Sequence, residues 1–262
     1  MREDLANQLA PQQGEPIDPV AMARRDLQKV LPRRFYKEAG ALETESGFRL
    51  VLDGKNAHTP GRQPIRTPAK ALTEALAMEW NAQGEFIDPG SMPLTRIVNS
   101  AIDGVAKEMG EVRAEIVKYA GSDLLCYRAG EPLSLVEAQS RTWDPILAWA
   151  REAFGARFIC AEGVIFADQP EPTVQAVARV VGDVDSPLAL AALNVMTTIT
   201  GSALLALAVA HGRLSAEEGW AAAHVDEDFQ IAGWGEDAEA AARRAKRWLD
   251  MEAAAKVYAL SA

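Results

Sequence analysis

Between Leu188 and Ala210 the chain carries no charged side chain over 23 positions, and this run limits what everything around it can fold into. As one helix it would extend about 35 Å at ~1.5 Å per residue, enough to cross a bilayer. Its content argues the other way. Asn194, Thr197, Thr198, Thr200, Gly201 and Ser202 interrupt it and much of the remainder is Ala, so transfer into lipid gains little beside a Leu-rich span. A segment apolar on most sides also suits the centre of a helical domain. The run is read as a core helix with no membrane insertion, and the chain must then supply amphipathic helices to surround it.

With 262 residues, of which 48% are apolar and 24% charged, the chain has material for a sizeable core and is not disordered by composition. Its formal charge of −10 excludes sequence-independent binding to nucleic acid or anionic lipid, which needs clustered Lys and Arg. A basic protein surface is a better partner, although solubility alone explains many acidic compositions. Cys126 and Cys160 lie 34 positions apart with no Cys-x-x-Cys and no neighbouring His, which indicates neither a zinc site nor a disulfide framework and suits a reducing compartment. Residues 1–28 read as a flexible arm. Glu3, Asp4, Glu15 and Asp18 fall where a signal or transit peptide would be apolar or Arg-rich, so a cytoplasmic location is expected.

Strand patterns occupy the first third. Phe48, Leu50 and Leu52 alternate with Arg49, Val51 and Asp53, and Asp53-Gly54 has the chemistry of a tight hairpin turn. Thr67-Pro68 is the expected cap and first residue of a helix reaching Gln83, with Leu72, Ala75, Leu76 and Trp80 at helical spacing and Gly84 ending it. Beyond Asp88-Pro89 helical periodicity dominates, at 93–103 and 107–119. Further helices are expected after a capping box at Ser134 to Glu137, after Pro172, after Ser186-Pro187, after a second capping box at Ser215 to Glu218, and from Glu236 to Tyr258. Asp144-Pro145 marks a kink or a fresh start, and RFICAEGVIF a strand. The expected architecture is α+β: a small antiparallel β-rich domain with one helix at 29–88, followed by a larger helical domain at 89–262.

The chain lacks the glycine signatures of dinucleotide or P-loop nucleotide binding, and no cofactor is expected. Thr200-Gly201-Ser202 lacks the second glycine and the strand-to-turn setting of a nucleophile elbow. Asp103, Tyr119, Asp123 and Tyr127 are the polar groups that a small-molecule enzyme with an interdomain cleft would use. His58 and His211 have structural positions, beside a turn and at the end of an apolar helix. His224, Asp226, Glu227 and Asp228 include good metal ligands. Successive helical residues point about 100° apart, however, so one ion would recruit only about two of them, and no metal is expected. The same carboxylates, with Glu217 and Glu218 two turns earlier, could form an acidic face that steers a basic partner, or a merely solvated one. Trp220, Phe229, Trp234 and Trp248 fall nearby; such aromatics serve as interface anchors or as core, and Trp80, Trp143 and Trp149 read as core.

The phrases RRFYKEAG, LDGKNAHTP, Glu79-Trp80, IDPGSMPLTRIVNSAID, YAGSDLLCYRAGEP, EAQSRTWDPILAW, LAALNVMTTITGSALLALAVAHGRLS and DEDFQIAGWGEDAEAAARR, in this order, resemble the assembly factors that bind the alpha subunit of F1-ATPase. The resemblance runs from about residue 33 to 250. It implies a β-rich domain followed by a helical one, no enzymatic role, and a chaperone that holds free alpha until it pairs with beta. In that family an acidic cluster ahead of a Gln and a Trp-Gly pair is tied to function, which implies partner contacts at Asp226, Glu227, Asp228, Gln230 and Trp234. Members occur in the mitochondrial matrix and in bacteria, and this chain resembles the bacterial type.

Overall fold

The computed structural model describes residues 31–163 and 165–261, so the arm expected at 1–28 lies outside the described residues. The described chain divides into two units. In the smaller, residues 31–35 lie against Gln83–Asp88. Ile87 N–H donates to Pro32 O and Arg34 N–H to Glu85 O, both at 2.9 Å, and the Arg34 guanidinium caps Gln83 O at 2.5 Å. Arg33 pairs with Glu85 at 3.3 Å and stands 5.9 Å from the Phe86 ring centre.

The larger unit begins with a four-stranded antiparallel sheet. β1 (Ala39–Thr44) pairs along its length with β2 (Gly47–Leu52), from Ala39 opposite Leu52 to Thr44 opposite Gly47. β3 (Lys55–Asn56) and β4 (Arg66–Thr67) both pair with β2. The Asp53-Gly54 turn forms as the sequence predicts, with both residues at positive φ. The Asp53 carboxylate also accepts the amides of Lys37 and Glu38 at 2.9–3.1 Å. Leu50 and Leu52 turn into the core against helix α1 (Lys70–Asn81), whose Leu72, Ala75 and Leu76 are buried. Asn81 both donates to and accepts from the Ala39 backbone, at 2.9 and 2.8 Å, and so completes the outer edge of β1 as a short strand would.

Helix α1 begins two residues later than the sequence predicts. Thr67 is drawn into β4 opposite Phe48, and its hydroxyl meets Thr73 Oγ1 at 2.6 Å, so sheet pairing wins over capping. At its other end Glu79 accepts Leu94 N–H, Thr95 N–H and the Thr95 hydroxyl at 2.7, 2.9 and 2.8 Å. This side chain from α1 thereby caps α2 (Pro93–Asp103), which has no cap of its own. Trp80 Nε1 reaches Thr95 Oγ1 at 3.2 Å. The Glu79-Trp80 pair in the quoted phrases is structural hardware.

Helices α3 (Met109–Ala120), α4 (Leu133–Phe154), α5 (Glu171–Gly182), α6 (Pro187–Thr200), α7 (Ala203–Ala210), α8 (Ala216–Ala223), α9 (Val225–Trp234) and α10 (Ala238–Ala259) follow. A short parallel pair, β5 (Tyr127–Arg128) with β6 (Ala161–Glu162), is inserted among them. The fold is therefore α+β, with a small antiparallel sheet ahead of a mainly helical body. Pro145 sits inside α4 without ending it. The capping box expected at Ser134 is absent: Pro132 holds the N-cap position, so Ser134 lies within the first turn.

The uncharged run becomes two helices, not one. Gly201, at φ 68°, closes α6 in the left-handed region, and Ser202 starts α7 by accepting Leu205 N–H at 3.0 Å. α6 is the hub, packed against α2, α3, α7 and α10. Thr197 and Thr200 are tolerated there because their hydroxyls donate to the carbonyls of Leu193 and Met196, at 2.9 and 2.7 Å. Residues Ala203 to Ala208 of α7 are all buried. Among the described residues, no helix is long and apolar enough to cross a membrane.

Candidate functional site

The proposed contact residues all lie on α9, and local chemistry explains why this helix is short. α8 opens with a true capping box: Ser215 Oγ accepts Glu218 N–H at 3.1 Å and Glu218 accepts Ser215 N–H at 2.8 Å. His224 then stands at the junction with α9, 93% buried, its Nδ1 2.7 Å from Trp220 O. A carbonyl only accepts, so Nδ1 carries the proton. Burial holds the imidazole below its ordinary pKa, and Glu227, 3.7 Å from Nε2, gains no cation from it at neutral pH.

α9 ends at Gly235, where φ 89° and ψ 169° define a backbone shape open mainly to glycine. Asp237 immediately caps α10 by accepting Ala240 N–H at 2.8 Å. This Trp-Gly-Glu-Asp corner sets α9 beside the first turns of α10, leaving a groove of about 750 Å³. Phe229, Ile231, Ala240 and Ala241 supply apolar lining, while Glu227, Glu236, Asp237 and Arg244 supply charge. Trp234 also lines it and is 77% exposed.

The five residues singled out by resemblance do not act as one cluster. Gln230 and Trp234 line the groove with Glu227. Asp226 points instead to α4, accepting Gln139 Nε2 at 2.6 Å, while Gln139 Oε1 accepts Ala129 N–H at 2.8 Å. Gln139 is 2% exposed, so this is a tie into the core. Asp228 binds Arg244 at 2.5 Å, and that bond holds the guanidinium above its ordinary pKa. With Glu218 used in capping, the free acidic band expected from sequence is narrower than the count of carboxylates suggests. The sequence reading expected the helix that forms the second wall but not its place opposite α9. Asp237 as a cap three residues before Ala240 was a readable signal; Arg244, 16 positions from Asp228, carried none.

The remaining aromatics and histidines sort mainly to packing. The Trp220 ring packs, tilted, 4.0 Å from His224 and 5.7 Å from Trp248. Trp143 is 1% exposed and donates to Ala222 O at 2.7 Å. His211 ends α7 against Trp149 and Phe154, and His58 forms a bridge with Pro64.

Of the four polar groups considered for catalysis, the two aspartates are engaged in holding the fold. Asp103 accepts the Thr59 hydroxyl and Gly61 N–H at 2.6 and 2.7 Å. Asp123 is fully buried and accepts the Ser202 hydroxyl at 2.7 Å, with Leu204 N–H and Leu125 N–H at 3.1 Å. Burial pushes its carboxyl up to about 6 against the pull of those bonds. Ser202 is buried beside Asp123 and serves as an N-cap. Among the described residues, no group of three or more His, Cys, Asp or Glu could hold a metal ion.

Comparison with known proteins gives one consistent result. The family model described as ATP12 chaperone protein matches residues 33–151. A provisionally assigned chaperone from Agrobacterium tumefaciens is 48% identical, with a TM-score of 0.84 over 99% of this chain and 97% of that one. The crystal structure of Atp12 from Paracoccus denitrificans is 40% identical, with a TM-score of 0.81 over 88% of this chain and 99% of that one. The mitochondrial protein atp12 of Schizosaccharomyces pombe is 24% identical over 216 residues, 78% of this chain and 74% of that protein. With 40% identity spanning nearly all of a solved Atp12, shared architecture and the ordered phrases quoted above, this chain belongs to the ATP12 chaperone family.

Proposed function

We propose that this chain is an assembly chaperone for ATP synthase that holds the free F1 alpha subunit until beta displaces it, and that the groove between α9 and α10 is the holding surface. The observation that carries this reading is Trp234, left 77% exposed at an apolar groove with carboxylates on its rim. Exposed Trp is costly in water, and a Trp ringed by polar groups is the usual form of an interface anchor. Glu227, Gln230 and Trp234 make direct contact, whereas Asp226 and Asp228 position the helix through Gln139 and Arg244.

The role requires no chemical step. A subunit awaiting its partner must have apolar area covered and strand edges blocked, by something that competition can remove. A groove of this size with a charged rim binds modestly, is steered by charge, and yields to beta by mass action. The test is aggregation of purified alpha with and without one equivalent of this chain. Suppression by the wild type and its loss in Trp234→Ala, with melting unchanged, are expected. Equal aggregation with and without the wild-type chain rejects the function. Full activity of Trp234→Ala rejects the groove alone.

A further inference from the structure

Cys126 and Cys160, unremarkable in sequence, are brought together by the parallel pair β5–β6. Tyr127 lies opposite Ala161 and Arg128 opposite Glu162, so each cysteine immediately precedes a paired residue on its own strand. Cys126 closes a short 3-10 turn, Leu124–Cys126, directly ahead of β5, and neighbouring strands run about 4.8 Å apart, so the start of the ladder brings the two cysteine backbones near one another. Cys126 is fully buried and Cys160 exposed, and the Cys160 thiol faces Leu125 O at 4.0 Å, the carbonyl of the residue next to Cys126.

We propose that Cys126 and Cys160 form an oxidation-responsive pair, closing to an intramolecular disulfide with a low-molecular-weight disulfide such as oxidised glutathione. The exposed Cys160 thiolate attacks one sulfur of glutathione disulfide, breaking its S–S bond and releasing one glutathione thiolate. Cys126 then loses its proton to solvent and attacks the Cys160 sulfur. The protein disulfide forms as the mixed disulfide breaks and a second glutathione thiolate leaves. The protein dithiol is oxidised by two electrons and one glutathione disulfide is reduced to two thiols. Burial holds the Cys126 thiol far above its ordinary pKa, with the nearby Asp123 carboxylate adding to the effect. The second step is therefore slow at neutral pH, rising about tenfold per pH unit as thiolate becomes available. Closure clamps α4, which carries Gln139 and its tie to α9, between the two ends of a covalent loop.

The full-length chain is incubated with oxidised glutathione and followed by intact mass and thiol titration. Wild type is expected to lose both thiols and two mass units as a monomer, to regain them with reductant, and to melt several degrees higher when oxidised. Cys126→Ser should accumulate one glutathione adduct at Cys160. A stable mixed disulfide on the wild type, a disulfide-linked dimer, or no reaction at pH 8.5 would each overturn the pair.

Discussion

At the level of single residues, carboxylates that look alike in sequence do different work. Asp226 is held by an amide that is itself buried, so its loss strands a polar group in the core. Asp226→Ala is expected to cost about 1–3 kcal/mol in urea unfolding, while Asp226→Asn, which keeps the accepting oxygen, costs less. Gln230→Ala should fall within about 0.5 kcal/mol of wild type; equal losses for Asp226→Ala and Gln230→Ala would dismiss the tie. Asp123 gives a pH signature. Its carboxyl titrates at about 6 in the fold against 3.8 for a free aspartate, so the folded state binds more protons between those values. Stability from this group is therefore greatest below about pH 4 and falls as pH rises through 6, by up to about 3 kcal/mol. Asp123→Asn is less stable at pH 4.5, because its amide cannot accept Leu204 N–H, and the gap to wild type should narrow by pH 7. A gap constant with pH would show that Asp123 is ionised throughout.

At the level of elements, what could be read from sequence was whatever is settled within a few residues. The caps at Ser186 and Ser215 and the Asp53-Gly54 turn depend on near neighbours. The turn appeared where the sequence predicts it, as did the helix starts after Ser186 and Ser215. Thr67 and Ser134 misled because distant or flanking structure claimed the position first, β2 in one case and Pro132 in the other. The start of α2 was legible as a periodic run, but not its cap, since Glu79 comes from another helix. The groove was half legible for the same reason. α9, its Trp and the first turns of α10 could be quoted as one phrase, whereas their facing one another exists only because the chain turns at Gly235. That turn is testable: beyond its two chain neighbours nothing lies within 4 Å of a Cβ built there, so Gly235→Ala meets no tertiary clash and costs about 1–3 kcal/mol for backbone shape alone. The variant should lose more in partner binding than in melting temperature, because the corner angle sets the groove; unchanged binding would show that the groove is not the contact.

For the whole molecule, a net charge of −10 sits on a protein whose proposed contact carries Glu227, Glu236 and Asp237 at its rim. If rim charge steers the partner, the association rate should fall several-fold between about 50 and 300 mM salt while dissociation changes little, as stopped-flow mixing would read. A salt-independent rate would leave only apolar contact. The central uncharged helix has a consequence in the order of synthesis. The Asp123 carboxylate that anchors the start of α7 leaves the ribosome about 80 residues before Ser202 does, so the anchor is waiting when the break at Gly201 emerges. The outer cover of α6 is made later still, because α10, which packs on it, spans Ala238–Ala259. A nascent chain halted before α10 emerges carries α6 without that cover, and exposed apolar surface of this kind is what makes partly made chains prone to aggregate.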